Sequence, residues 1–398
     1  MTPGPGLQRT KLPLGFLASG VNCGVRRYRP DFGLLLSDRP MVAVGVFTLN
    51  QCQAAPVVYS KSILPSDQVR ALITNSGQAN AATGTEGVRR NLQLVEAVAG
   101  KLNVKADQVV VASTGVIGEQ LHLDKLLPSV GDLVSRVQET AESFAVSILT
   151  TDLVPKSVST EVSLSTGTVR ITGICKGSGM IHPNMATMLG YLLTDAVVSV
   201  SQAETLLKKA TDLSFNMISV DGDSSTNDCC FLLANGASGH NLEKHEDLEK
   251  FQAALSDVAI FLAQSIAADG EGATKLIEVT VGGADDLKMA RRAARGVTLS
   301  PLIKAAIHGE DPNWGRILAR LGAEQVPAAS LQKMNLSIQG VSIFAGGEPI
   351  AFDRPMVRSL LRQSKVQIEV DLQSGAHSAT AWGCDLSKKY VEINTEYS

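Results

Sequence analysis

Apolar residues in this chain fall into short runs punctuated by glycine and small polar residues, the pattern of strands separated by turns. Strands are predicted at 41–49, 55–60, 70–75, 108–113, 168–175, 276–283, 333–340 and 365–372. The last contains VQIEVDL, whose alternation suits a sheet with one covered face; other runs are continuously apolar. Between them, apolar spacing of three and four marks helices. Residues 87–102 repeat that way, 246–268 give a long helix stopping at Asp269-Gly270, and a helix over 126–149 ends near the turn Thr150-Thr151-Asp152. Ser201 and Glu204 form an S-x-x-E box ahead of the helical run AETLLKKATDL. Strands and helices do not alternate strictly, which argues against a doubly wound parallel sheet. The pattern predicts an α+β chain of stacked sheets with helices outside.

Composition narrows the class. A length of 398 residues suggests two or three folding units, and 44% hydrophobic with 19% charged residues is an ordinary globular balance. The net charge of -3 offers no basic excess for phosphates, and an aromatic fraction of 4% offers few stacking platforms, so a nucleic-acid partner is not expected. No apolar run approaches the roughly 20 residues of a membrane span. The first residues read as neither a secretory nor an organelle address, and the expected compartment is the cytoplasm. Six cysteines are scattered without a CxxC, which fits reduced thiols, with the neighbours Cys229 and Cys230 in core packing. Six histidines never form HxH or HxxxH pairs, so no metal site is expected.

Several segments rich in Gly, Asn, Ser, Thr and Asp interrupt the apolar elements: 75–84, 112–118, 176–189, 221–228, 268–275 and 308–316. Each alone reads as a turn. Six in one chain suggest loops that carry a site on a rigid scaffold. The stretch KGSGMIHPNMATML, 176–189, lacks the G-x-x-x-x-G-K-[ST] order of a phosphate loop. Its Ala186-Thr187 bond invites other chemistry. A threonine hydroxyl can attack the preceding carbonyl, and water can open the resulting ester, leaving Thr187 as a new N-terminus. A free α-amino group, with a pKa of roughly 7.7–8.0, can then serve as base for its own hydroxyl.

These segments resemble, in order, those of the ornithine acetyltransferase (glutamate N-acetyltransferase) family of arginine biosynthesis. KGSGMIHPNMATML resembles the family's self-cleavage segment. GFLASGVNCGVR, GVFTLNQCQAAPV, NSGQANAATG, STGVIG, TTDLVPK, SVDGDSSTND, AADGEGATK and GEDPNWGRI resemble further family segments, from about residue 13 to the C-terminus. The resemblance implies a layered α+β sandwich of the DmpA/ornithine acetyltransferase type, like other N-terminal nucleophile proteins. It implies cleavage between Ala186 and Thr187 into an α chain, 1–186, and a β chain, 187–398, which together form one catalytic unit and assemble as α2β2. Thr187 would be the nucleophile, with the Thr114 hydroxyl and the Gly115 N–H as oxyanion hole. Substrate contacts fall on Thr150 (with Thr151 a near alternative), Lys176, Thr187, Glu271 and Asn394. Lys176 suits an α-carboxylate or the emerging oxyanion, and Glu271 suits the amine of ornithine. Many relatives extend one residue further to a terminal hydroxyl that contacts substrate, a role that falls here to Ser398. Ala82 and Ser224 replace residues common in the family, cysteine and threonine.

The implied reaction is ping-pong. N-acetylornithine acetylates Thr187, ornithine leaves, and glutamate collects the acetyl group. No cofactor is implied. Some members also accept acetyl-CoA as a co-substrate, and no compact motif here decides for or against it. An aminopeptidase or amidase of the same fold is the alternative, delivering the acyl group to water instead. A non-catalytic relative is a third reading, against which the intact Thr114, Gly115, Lys176, Thr187 and Glu271 count.

Overall fold

The computed structural model describes residues 11–182 and 188–395. Ala186, Thr187 and Ser398 lie outside the described residues. In chain order the strands are β1 (Phe16–Val21), β2 (Phe32–Phe47), β3 (Ser66–Gln78), β4 (Val109–Val116), β5 (Lys156–Leu164), β6 (Gly167–Lys176), β7 (Leu189–Thr194), β8 (Ile218–Ser219), β9 (Cys229–Ala234), β10 (Leu276–Ala284), β11 (Asn335–Ile338), β12 (Val341–Ala345), β13 (Glu348–Pro349), β14 (Lys365–Asp371) and β15 (His377–Cys384). They form two mixed sheets in two units, as the α+β expectation required.

The first unit comprises the described residues up to Gly177, those up to Asn216 that follow the undescribed segment, and Ser224–Leu262. Its sheet runs β4-β3-β2-β9-β7-β6-β5, with β1 antiparallel on β2. At its centre β7 (LGYLLT) and β9 (CCFLLA) pair in parallel and are buried at every position. That is why their sequences are continuously apolar and show no alternation. On flanking strands successive residues enter opposite cores. Leu35, Leu72 and Val110 join Phe144, Tyr191 and Phe231 in one cluster, while Leu34, Ile73 and Val111 join Leu94, Val98 and Leu126 in the other. Tyr191 packs edge-on against Phe144, with ring centroids 5.0 Å apart, and shares a 2.8 Å hydrogen bond with Thr74.

Helices of this unit are α1 (Ala55–Ile63), α2 (Gly84–Leu102), α3 (Leu123–Ser135), α4 (Glu142–Ser147), α5 (Val200–Leu213) and α6 (His245–Ala268), the last counted here to Leu262. By length and composition α6 is apolar enough to cross a membrane, a feature the sequence reading did not register. Its Phe251, Leu255, Val258 and Leu262 are nevertheless buried, and a Cβ at Gly173 of β6 would meet Val258 and Leu262.

Three local expectations are corrected. Residues 55–60 form α1, not a strand: Pro56 lies in the first helical turn, where its missing N–H costs nothing, and buried Ser60 exchanges hydrogen bonds with Val111. The helix expected over 126–149 is two helices, because Gln138 exchanges both backbone hydrogen bonds with Ala18 of β1. The box at the head of α5 is Ser199 with Gln202, two residues before Ser201 and Glu204.

The second unit comprises Ser178–His182, Met217–Asp223 and the described residues from Ala263 onward. Its sheet runs β13-β12-β11-β14-β10-β15-β8. On β14 (KVQIEVD) apolar positions are buried and the polar ones, Gln367, Glu369 and Asp371, exposed, as alternation predicts. Helix α7 (Leu287–Leu299) buries Ala290, Ala293, Ala294 and Val297 and starts at Asp286, whose carboxylate accepts the Met289 N–H at 2.7 Å.

Candidate functional site

In the first unit β3 and β4 pair in parallel, with Ser76 opposite Thr114 and Gly77 opposite Gly115. Gly115 has φ +132°, and a Cβ there would lie 2.2 Å from the Gly77 carbonyl, so no other residue fits. This ends β4 with the Thr114 side chain next to the head of Lys176. Lys176 closes β6, and its Nζ donates to Thr150 Oγ1 at 2.7 Å and to Thr114 Oγ1 at 3.4 Å. Strand pairing also sets Lys176 opposite Leu189, the second residue after Thr187.

Behind Lys176 lies a buried charge cluster. One oxygen of Asp152 accepts the Lys156 ammonium at 2.8 Å and the Gly177 N–H at 2.7 Å; the other accepts the Thr150 N–H at 3.0 Å and lies 3.9 Å from Lys176 Nζ. Burial resists ionisation of Asp152, but the Lys176 and Lys156 ammoniums outweigh it and hold the carboxyl below its ordinary range. For Lys176 burial wins over Asp152 and lowers the ammonium pKa. Arg26 and Arg29 add cations: both guanidiniums donate to the Thr150 carbonyl.

The polar segments of the sequence knit this site together. The Asn227 amide donates to the carbonyls of Ala79, at 2.6 Å, and Ser113, at 2.9 Å, joining three of the motifs. Ser113 donates to Asn75 at 2.6 Å. Next to Asn227, burial pushes the Asp228 carboxyl well above its ordinary range.

The second unit holds the other predicted contacts. Glu271 is buried, follows the end of α6 and accepts the Asn394 amide at 2.8 Å. Its backbone N–H donates to the Ser178 carbonyl at 3.1 Å, and a Cβ at Gly179 would lie 2.3 Å from its carboxylate. The Asp221 carboxylate accepts the N–H groups of Met180, at 2.6 Å, and Ile181, at 2.8 Å. Met180 holds a left-handed φ of +56°, a conformation costly for a side-chain-bearing residue. His182, the last described residue before Thr187, lies between the Ser219 hydroxyl at 3.1 Å and the Arg295 guanidinium at 3.2 Å. Arg295 can only donate, so Nε2 accepts and Nδ1 carries the proton. Burial, then the Arg295 and Arg320 charges, lower the imidazole pKa to about 4. Asp385 accepts Thr274 Oγ1 at 2.6 Å and His308 Nδ1 at 2.7 Å, bracing the segment after Glu271.

Thus Thr114, Gly115, Thr150 and Lys176 come together in the first unit, and Glu271 with Asn394 in the second. Between the alternatives Thr150 and Thr151, it is Thr150 whose hydroxyl meets Lys176. Sequence reasoning missed Asp152, Lys156, Asp221, Arg26 and Arg29. Asp152, Lys156, Asp221 and Arg26 lay inside quoted motifs without a role of their own, and Arg29 lay outside them. Among the described residues no group of three His, Cys, Asp or Glu side chains could hold a metal.

The ArgJ family model matches residues 17–398. The arginine biosynthesis bifunctional protein ArgJ of Oceanobacillus iheyensis is 47% identical over 97% of this chain and 95% of its own. The chloroplastic protein of that name from Oryza sativa subsp. indica is 45% identical over 96% of this chain and 86% of its own. A crystal structure of the Bacillus halodurans protein of that name is 36% identical, with a TM-score of 0.50. It covers 53% of this chain and 100% of the solved chain.

Proposed function

This chain belongs to the ArgJ family and is an acyltransferase of arginine biosynthesis, and we propose that it moves the acetyl group of N2-acetyl-L-ornithine to L-glutamate through an ester on Thr187. The observation that carries this reading is the convergence of Thr114, Thr150 and Lys176 at the end of β6, paired with the strand that begins two residues after Thr187. That arrangement supplies hydroxyl donors and a cation where an acyl oxygen would develop charge.

Maturation comes first in this proposal. The Thr187 hydroxyl attacks the Ala186 carbonyl, the peptide nitrogen leaves as an amine, and water opens the ester. The products are a carboxylate at Ala186 and a free α-amine on Thr187. The sizes agree with a solved relative: residues 187–398 are 212 of 398, or 53%, the share of this chain that the whole Bacillus halodurans chain covers. The α and β chains are proposed to assemble as α2β2 in the cytoplasm.

In the transfer cycle the α-amine of Thr187 takes the hydroxyl proton as Oγ attacks the acetyl carbonyl. Thr114 Oγ–H and Gly115 N–H receive the oxyanion, and ornithine leaves with the proton; glutamate's amine then attacks the ester, the Thr187 Oγ–C bond breaks, and the amine's proton returns through the α-amine to Oγ. Lys176 and Thr150 hold the substrate's α-carboxylate, and Glu271 with Asn394 holds the ornithine ammonium. Ser398 is proposed as a further substrate contact. Acetyl-CoA as a second donor to the same threonine accords with the word bifunctional in the relatives' names. The test is incubation with N-acetylornithine, with and without glutamate. Release of ornithine and N-acetylglutamate in equal amounts supports transfer. Acetate released at the same rate whether or not glutamate is present would make the protein a hydrolase.

A further inference from the structure

Two lysines share one buried carboxylate at the end of β6, and they are not equivalent. The Asp152 and Lys156 side chains are 0% and 1% exposed, whereas Lys176 keeps 9% of its side chain accessible, so Lys176 is the one that can meet a ligand. Asp152 spends its hydrogen bonds on groups other than Lys176. One oxygen accepts Lys156 Nζ and the Gly177 N–H and the other accepts the Thr150 N–H, while Lys176 Nζ stays 3.9 Å away, beyond hydrogen-bond distance. The Lys176 ammonium donates instead to two neutral hydroxyls, those of Thr150 and Thr114. Asp152 thus balances the charge of Lys176 without occupying its N–H groups. An ammonium has three donors, so with two hydroxyls bound a third is left for an incoming acceptor.

The same carboxylate orders the Thr150 hydroxyl, because the N–H it accepts belongs to the residue whose side chain Lys176 meets. Burial above all disfavours the charged form of Lys176; Asp152 is the strongest influence the other way, Lys156 and Arg26 oppose the charge, and Asp228 favours it. Asp228 cannot replace Asp152, since burial pushes its own carboxyl well above the ordinary range. A buried ammonium that loses its anion gives up its proton rather than stay charged.

We propose that Asp152 is a positioning residue of the substrate site: without touching substrate, it keeps the Lys176 ammonium charged and sets it beside the Thr150 hydroxyl, ready for an α-carboxylate. The inference rests on the transfer reaction proposed above, in which Lys176 and Thr150 hold the α-carboxylate that donor and acceptor share. Loss of Asp152 therefore weakens recognition of that one group, and leaves a donor without an α-carboxylate little affected.

The experiment compares two acetyl donors, N2-acetyl-L-ornithine and N-acetylputrescine, which lacks only the α-carboxylate, in wild type and in Asp152→Asn. Acetyl gain by the enzyme is followed, with rates normalised to the self-cleaved molecules. Asparagine keeps the shape of the side chain and removes its charge. The wild type prefers N-acetylornithine; the variant is expected to lose about tenfold or more of that preference, through KM for N-acetylornithine, while acetylation by N-acetylputrescine changes by less than about threefold. An equal loss with both donors overturns the proposal, because Asp152 would then merely hold the fold. An unchanged preference overturns it too, as does a wild type that accepts both donors alike. Because Asp152→Asn also takes the anion from buried Lys156, Asp152→Asn/Lys156→Gln, which removes that pair together, carries the same test with the same outcomes if the single variant does not fold. A wild type that gains no acetyl group from either donor would instead sink the underlying transfer reaction, before any variant is compared.

Discussion

At the residue scale, two side chains make separable predictions. Thr114, the proposed oxyanion donor, lies near the end of β4 and makes few other commitments, its described partner being Lys176 at 3.4 Å. Thr114→Ala is expected to lower kcat by about 10²–10³-fold, the usual loss for one such donor. Its unfolding free energy should change by no more than about 1 kcal/mol. Steady-state kinetics beside denaturant unfolding check both. His182 governs stability in acid. Its folded pKa is about 4 against an ordinary value of 6.5, so between those pH values the unfolded chain binds the extra proton. Its stabilising contribution is present above pH about 6.5 and is lost as the pH falls towards about 4. His182→Gln should flatten that part of the stability profile, measured as the denaturation midpoint against pH. A profile as steep as the wild type's would mean that other groups, Asp152 among them, account for it.

At the element scale, the segment before the proposed cleavage bond is shaped by a neighbouring motif. Asp221 holds two successive N–H groups at Met180 and Ile181, and Val220 N–H donates to the Ile181 carbonyl at 2.7 Å. These bonds hold Met180 in its left-handed conformation. Asp221→Asn replaces a charged acceptor with a neutral one and should slow self-cleavage several-fold without preventing folding. Time-resolved denaturing gels of freshly translated protein would check it; cleavage at the wild-type rate would show that Asp221 merely caps a turn. This level also shows what was legible in sequence. The alternation of VQIEVDL and the spacing of 87–102 predicted β14 and α2 because each has one covered face. α1 was misread because VVY favours strands locally while its helix is fixed by Pro56 and by Ser60 bonding across to Val111. Thr114, Lys176 and Glu271 were legible through motif resemblance. Asp152 and Lys156 were not, because a short Asp–Lys spacing at a surface and in a core look the same until burial is known.

For the whole molecule, the position of the predicted cut matters more than its chemistry. In the first sheet β7 and β9 follow Thr187, yet they lie side by side between β2 and β6, which precede it. Cleavage would therefore leave two strands of one chain paired on both flanks with strands of the other. Separating the products would break two full ladders and expose strands buried at every position. The fragments are expected to co-elute in native gel filtration and to part in denaturant. Fragments that separate without denaturant would contradict the observed strand order.

The most direct test of the central claim is the intact mass, under denaturing conditions, of freshly purified protein beside a Thr187→Ala variant. The account predicts two fragments in the wild type, residues 1–186 and 187–398, with the second gaining one acetyl group after brief exposure to N-acetylornithine, and one uncut chain in the variant. A single uncut chain in both, or cleavage without any acetyl gain on the 187–398 fragment, would contradict it.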